Sequence, residues 1–231
     1  MHLNPIGNMS LIQQKRTQRR LLKHHLPLFA LSAACGAALY FTRPYPDVLS
    51  RACFAMAYPA LALLVFTLLV GPWKILRKEQ TPVSSDLRRD AGIWAGILSI
   101  LHSVIGQFVH LRGRPWLYYV YDQKEHHSIP IRYDLFGLAN YTGAFSVVLA
   151  IALLATSNDW SLRALGTPRW KQLQRWNYVA FALAAVHSIA YQMIEKQRPP
   201  FVATVVVCIG MALWLQIAGL VSRRSRISGR S

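Results

Sequence analysis

Long apolar runs alternate with short polar, strongly basic stretches along this chain. Six runs stand out, at residues 26–40, 52–73, 91–111, 135–155, 176–193 and 201–221. Most approach the ~20 residues that an α-helix needs to cross about 30 Å of hydrocarbon. The first is shorter, which suits a tilted or partly interfacial helix. Lipid offers no partners to open backbone, so helices are the spans this pattern predicts. The fold class expected is all-α, an integral membrane six-helix bundle over residues 26–221. A basic N-tail (1–25) and a basic C-tail (222–231) flank it, both short of domain size.

Composition agrees with this reading. The chain has 231 residues, 53% hydrophobic and 15% charged, whereas a soluble domain runs about 45–50% apolar and about 25% charged. The net charge of +17 would suggest nucleic acid if the basic residues formed one patch. They flank the apolar runs instead, so they orient helices and meet anionic lipid head groups; no nucleic-acid partner is expected. With the N-terminus placed in the cytoplasm, 18 of the 26 lysines and arginines fall on the cytoplasmic side. The positive-inside rule then puts both termini there. No cleavable leader is expected, because the basic N-terminal stretch is long and no clear cleavage site follows the first apolar run. Cys35, Cys53 and Cys208 form no CxxC pair and read as small buried hydrophobes. Trp116, Tyr118, Tyr119 and Tyr121 in the longest outer loop read as an interfacial aromatic belt.

The chemistry lies in the third and fifth runs. His102 follows Arg89 by thirteen positions and His187 follows Arg175 by twelve. At 1.5 Å rise per residue, both imidazoles lie about 18–20 Å from the cytoplasmic edge. An imidazole in hydrocarbon is costly and rarely idle. Two at one depth, on helices running the same way, suit a single metal centre between them. Zinc wants three or four protein ligands, and no carboxylate accompanies either histidine within its run. Heme needs only two axial nitrogens, because the porphyrin supplies the other four. The serines that follow, Ser103 and Ser188, either bond back to their own helix or orient a ring. His110, eight residues beyond His102, is expected at the membrane edge as a polar tip rather than a ligand. His24, His25, His126 and His127 are expected as solvated surface residues. Arg112 and Arg114 are candidates for pairing with heme propionates at the outer face.

Two stretches carry a family resemblance. One is Gly71-Pro72-Trp73-Lys74 with Pro82-Val83-Ser84-Ser85-Asp86-Leu87-Arg88-Arg89-Asp90 leading to His102. The other is Ser161-Leu162-Arg163-Ala164-Leu165-Gly166 with Trp170-Lys171-Gln172-Leu173-Gln174-Arg175 leading to His187. Across residues 59–191 the chain resembles ferric-reductase-like transmembrane domains, among them the heme-binding membrane subunits of bacterial methionine-sulfoxide reductase systems. The resemblance implies a six-helix bundle in the bacterial inner membrane, with b-type heme between helices three and five. It implies single-electron transfer from a cytoplasmic or quinol donor to an acceptor outside. The chain would then be an electron-transfer subunit of an oxidoreductase, dependent on a separate redox partner protein or on quinol. His102 and His187 match the ligand positions. Relatives often carry another histidine thirteen residues before the fifth-helix ligand, where this chain has Gln174. One heme per chain is therefore expected, with a cytoplasmic-side relay such as FMN or a quinone. Arg88, Arg89, Arg169, Lys171 and Arg175 could cradle an anionic relay, though topology alone explains them.

Two rival readings remain. A cofactor-free transport or assembly protein would use the histidines for packing or proton relay, and it should show buried acids or broken helices near midplane. A ferric-chelate reductase acting alone would need a nucleotide-binding domain, and neither GxGxxG nor a Walker loop is present.

Overall fold

A computed structural model of the chain describes residues 14–43, 45–77, 85–111 and 113–228. Seven long helices account for most of it: α1 Gln14–Thr42, α2 Val48–Leu76, α3 Ser85–Gly106, α4 Leu135–Ala155, α5 Asp159–Gln174, α6 Trp176–Ile194 and α7 Pro199–Ser228. Among the described residues there is no sheet, only an isolated antiparallel bridge between Val120 and Ile131. The all-α expectation therefore holds. Four helices (α1, α2, α4 and α7) are long and apolar enough to cross a membrane.

Three departures from the hydropathy pattern have local causes. First, α1 begins at Gln14 rather than residue 26. Its basic first turns are held by acids of α3: Arg16 pairs with Asp86 at 2.8 Å and Arg20 pairs with Asp90. A π-helical stretch, Leu21–His25, runs up to Pro27, whose missing N–H interrupts the helical ladder. Second, α3 spans Ser85–Gly106 and so stops five residues before the end of its apolar run; residues 107–111 turn away. Third, the polar stretch before α6 is itself helical. This α5 is capped by Asn158, whose side chain accepts from Ser161 N at 2.7 Å, and it bends at Gly166 (φ 69°), two residues before Pro168. A left-handed φ is routine only for glycine.

Two helix pairs form the body of the molecule: α3 packs most extensively on α2, and α6 on α4. The fourth span α7 lies along α2, where a small residue and a polar one repair a proline. Pro72 cannot donate to the Leu68 carbonyl, and Gln216 Nε2 donates to that oxygen instead at 2.7 Å. Gly219 lets the helices close there, since a β-carbon at this position would meet Pro72 Cβ at 3.0 Å. Leu61, Val65 and Leu68 of α2, Phe181 of α6, and Val205 and Ala212 of α7 make the buried core. By contrast α3 and α6, which carry the two singled-out histidines, barely meet. The space between them is the cavity described next.

Candidate functional site

A cavity of about 410 Å³ opens between the two helix pairs, within the range typical of small-molecule and cofactor sites. Both His102 and His187 line it. Their ring centroids are 6.0 Å apart and their planes lie at 80°. The matched positions read from the sequence thus bring the two side chains together.

Each ring is fixed from behind by a helix of its own pair. His187 Nδ1 donates to the Ala139 carbonyl of α4 at 2.8 Å. His102 Nδ1 donates to the Cys53 carbonyl of α2 at 3.0 Å, and Cys53 Sγ lies 3.2 Å from the same nitrogen. A carbonyl only accepts, so Nδ1 carries the proton in each neutral ring and Nε2 is left with a free lone pair. Ligating imidazoles characteristically show this arrangement. Gly143 makes it sterically possible on the α4 side, because a β-carbon there would stand 2.5 Å from His187 Nδ1.

Two imidazoles brought this close, each with its Nε2 unprotonated, could together hold one metal ion. Among the described residues no group of three or more His, Cys, Asp or Glu could hold a metal ion. Two imidazoles alone leave a zinc site short of ligands. A tetrapyrrole iron brings its own four, and the cavity gives it apolar walls in Leu61, Leu64 and Val147. The residues present therefore fit heme.

The other sequence candidates fall elsewhere. Arg112 lies outside the described residues. Arg114 is 54% exposed, pairs with Asp122 at 3.2 Å, and does not line the cavity. Gln174 ends α5, with its Nε2 buried and unpartnered among the described residues. Of the basic residues expected on the cytoplasmic side, Arg89 pairs with Asp159 at 2.6 Å and holds that carboxyl below the usual carboxylate range, chiefly through this hydrogen bond.

Several residues behave differently from expectation. His110 sits in the turn after α3, lines the cavity, and contacts Glu195 through Nε2 at 3.0 Å. Its ring stacks on Tyr191, which in turn lies 4.9 Å from the His187 ring. His24 and His25 both reach Asp90, a fully buried carboxylate, at 2.8 and 3.3 Å. His126 and His127 are exposed, as expected, with His127 stacked on Tyr121 at 3.7 Å. Tyr118 is buried rather than part of an exposed belt, and burial raises its phenol pKa; its hydroxyl donates to the Gly106 carbonyl at 2.8 Å. Of the cysteines, Cys35 is exposed, while Cys53 touches His102. Nothing local in the sequence marks Cys53, Ala139 or Gly143, because their roles depend on which helix faces which.

No family model matches the chain. Among curated proteins, "Protein-methionine-sulfoxide reductase heme-binding subunit MsrQ" of Yersinia pseudotuberculosis serotype O:1b is 30% identical over 176 residues, covering 71% of this chain and 72% of the relative. The protein of the same name from Yersinia pestis strain Pestoides F is also 30% identical, covering 71% of each.

Proposed function

The chain belongs to the family of protein-methionine-sulfoxide reductase heme-binding subunits, and from this premise we propose that it holds one b-type heme between His102 and His187 and relays single electrons across the bacterial inner membrane. The observation that carries this reading is the facing pair of imidazoles, 6.0 Å apart, each with Nδ1 bonded to a backbone carbonyl. Heme bound there would supply one-electron chemistry through the ferric and ferrous states of its iron.

The chain's own residues do the rest. The Cys53 and Ala139 carbonyls fix ring orientation and tautomer, and they raise the basicity of the Nε2 donors. The apolar walls from α2 and α4 keep water away, which limits reorganisation when charge changes. All six apolar runs cross the membrane in this reading, with both termini and α5 at the cytoplasmic face. The α1–α2, α3–α4 and α6–α7 connections then lie outside. Electrons enter from quinol or from a separate protein on the cytoplasmic side, by way of a flavin or quinone, and leave to an acceptor outside.

The test is spectroscopic. Protein from heme-replete cells, purified in mild detergent, should show a Soret shift and sharp α and β bands on dithionite reduction, with one heme per chain. His102→Ala and His187→Ala should each abolish heme retention. Full retention in both variants would remove the ligand assignment, and two hemes per chain would overturn the stoichiometry.

A further inference from the structure

The outer mouth of the cavity contains a hydrogen-bonding group with one donor left over. Tyr45 follows α1, and Gln197 lies between α6 and α7; both line the cavity. Arg43 stands behind them. Its Nη2 donates to Tyr45 Oη at 3.3 Å and to Gln197 Oε1, while Gln197 Nε2 donates to the same Tyr45 oxygen at 2.7 Å. That oxygen therefore accepts twice, which uses its acceptor capacity. Among the described residues its own O–H proton has no acceptor.

The arginine is also incompletely satisfied. Its Nε is buried without a hydrogen-bond partner among the described residues. Its guanidinium carbon lies 4.2 Å from the Phe54 ring centroid and 4.1 Å from that of Phe201. Aromatic faces attract a cation but provide no compensating negative charge. A partly desolvated charge of this kind calls for an anion. The carboxylates already on the cavity wall are engaged elsewhere: Asp47 accepts from Ser50 N at the start of α2, and Glu195 faces His110. Arg114, expected from the sequence to serve the propionates, is turned to Asp122.

We propose that Tyr45, backed by Arg43 and Gln197, is the point at which a carboxylate of the tetrapyrrole is held at the outer mouth of the cavity. The inference rests on the heme reading above and adds the orientation of the cofactor: carboxylate edge outward, apolar edge toward the middle of the bundle. Tyr45 donates directly to the carboxylate. Arg43 is a positioning residue that fixes the phenol through a shared network and adds positive charge behind it. Because this network joins the α1–α2 turn to the α6–α7 turn, binding would also tie the two connections together over the site.

The experiment uses the full-length chain, produced without heme and titrated in detergent with hemin and with hemin dimethyl ester, whose carboxylates are capped. Affinity is read from the Soret band. The unaltered chain should prefer the diacid by about ten- to a hundredfold, the range expected for hydrogen bonds to a charged group. In Tyr45→Phe and in Arg43→Gln the preference should shrink toward unity, with affinity for the ester little changed. Tyr45→Phe removes one hydroxyl and keeps the ring, so it carries the test if Arg43→Gln does not fold. An undiminished preference for the diacid in Tyr45→Phe would overturn the proposal. Failure of the unaltered chain to bind either tetrapyrrole would overturn the heme reading, and this inference with it.

Discussion

Gly143 provides a sharp test because the site and the helix should respond to its substitution in opposite directions. A β-carbon at Gly143 would stand 2.5 Å from His187 Nδ1 and 2.8 Å from Cε1. Ordinary contact begins near 3.4 Å, so the imidazole must withdraw by roughly 0.9 Å. Nδ1 is held 2.8 Å from the Ala139 carbonyl, one turn earlier on the same helix. A shift of that size takes the bond toward or past the ~3.2 Å limit of a good N–H···O contact. Loss of such an orienting bond typically costs about 10- to 100-fold in metal affinity. Alanine meanwhile favours the helix over glycine by ~1 kcal/mol. Gly143→Ala should therefore lose heme, or bind it with a shifted α band, while the heme-free protein melts no lower than the unsubstituted chain. Gly96→Ala is the matched control, since its β-carbon would find Leu154 at an ordinary 3.6 Å. The assay is heme per chain by pyridine hemochrome, together with thermal melting in detergent. A Gly143→Ala protein with full heme and an unchanged spectrum would refute the packing argument.

Three further outcomes follow from the contacts. Asp90 is fully buried and receives Arg20, His24 and His25; Asp90→Ala leaves the largely buried Arg20 cation without its partner and should cost about 3–5 kcal/mol, and an unchanged melting temperature would contradict this. Gln216→Ala strips the Leu68 carbonyl of the donor that replaces the one lost to Pro72 and should destabilise by about 1–3 kcal/mol, whereas Gln216→Glu, which can donate only when protonated, should recover stability as pH falls. Asp159 has its pKa lowered in the fold by the Arg89 hydrogen bond, so its contribution is present above the unfolded carboxyl value of about 3.9 and is lost as pH falls through the lower folded value; Asp159→Asn should flatten the acid limb of melting temperature against pH, and an identical limb would show that the pair contributes nothing.

Much of the helical architecture was legible because hydropathy is a local property. The run at 135–155 coincides with α4, Leu135–Ala155, and the fifth run with α6 to within a residue. The helices carrying the chemistry, α3 and α6, are among the three that length and apolarity alone do not mark as spans. Each has a polar side turned to the cavity: Ser99, His102 and Ser103 on α3, and His187, Ser188 and Gln192 on α6. A helix that lines a site gives up hydropathy where it faces the site. The same limit explains the first helix, whose basic opening turns read as a tail until their partners Asp86 and Asp90, seventy positions along the chain, are placed beside them.

The sequence by itself determined the helical class, most of the long helices, and two histidines at matching positions on two of them. These follow from apolar runs and from a fixed rise per residue, both counted along a single strand of chain. Only the tertiary structure decided that the two rings face each other, that the Cys53 and Ala139 carbonyls orient them, that Gly143 leaves them room, and that Arg43, Tyr45 and Gln197 meet at the mouth while Arg114 turns away. Those relations depend on the rotation of each helix about its own axis and on its choice of neighbour. Packing between elements sets both, and residue spacing within one helix does not encode them.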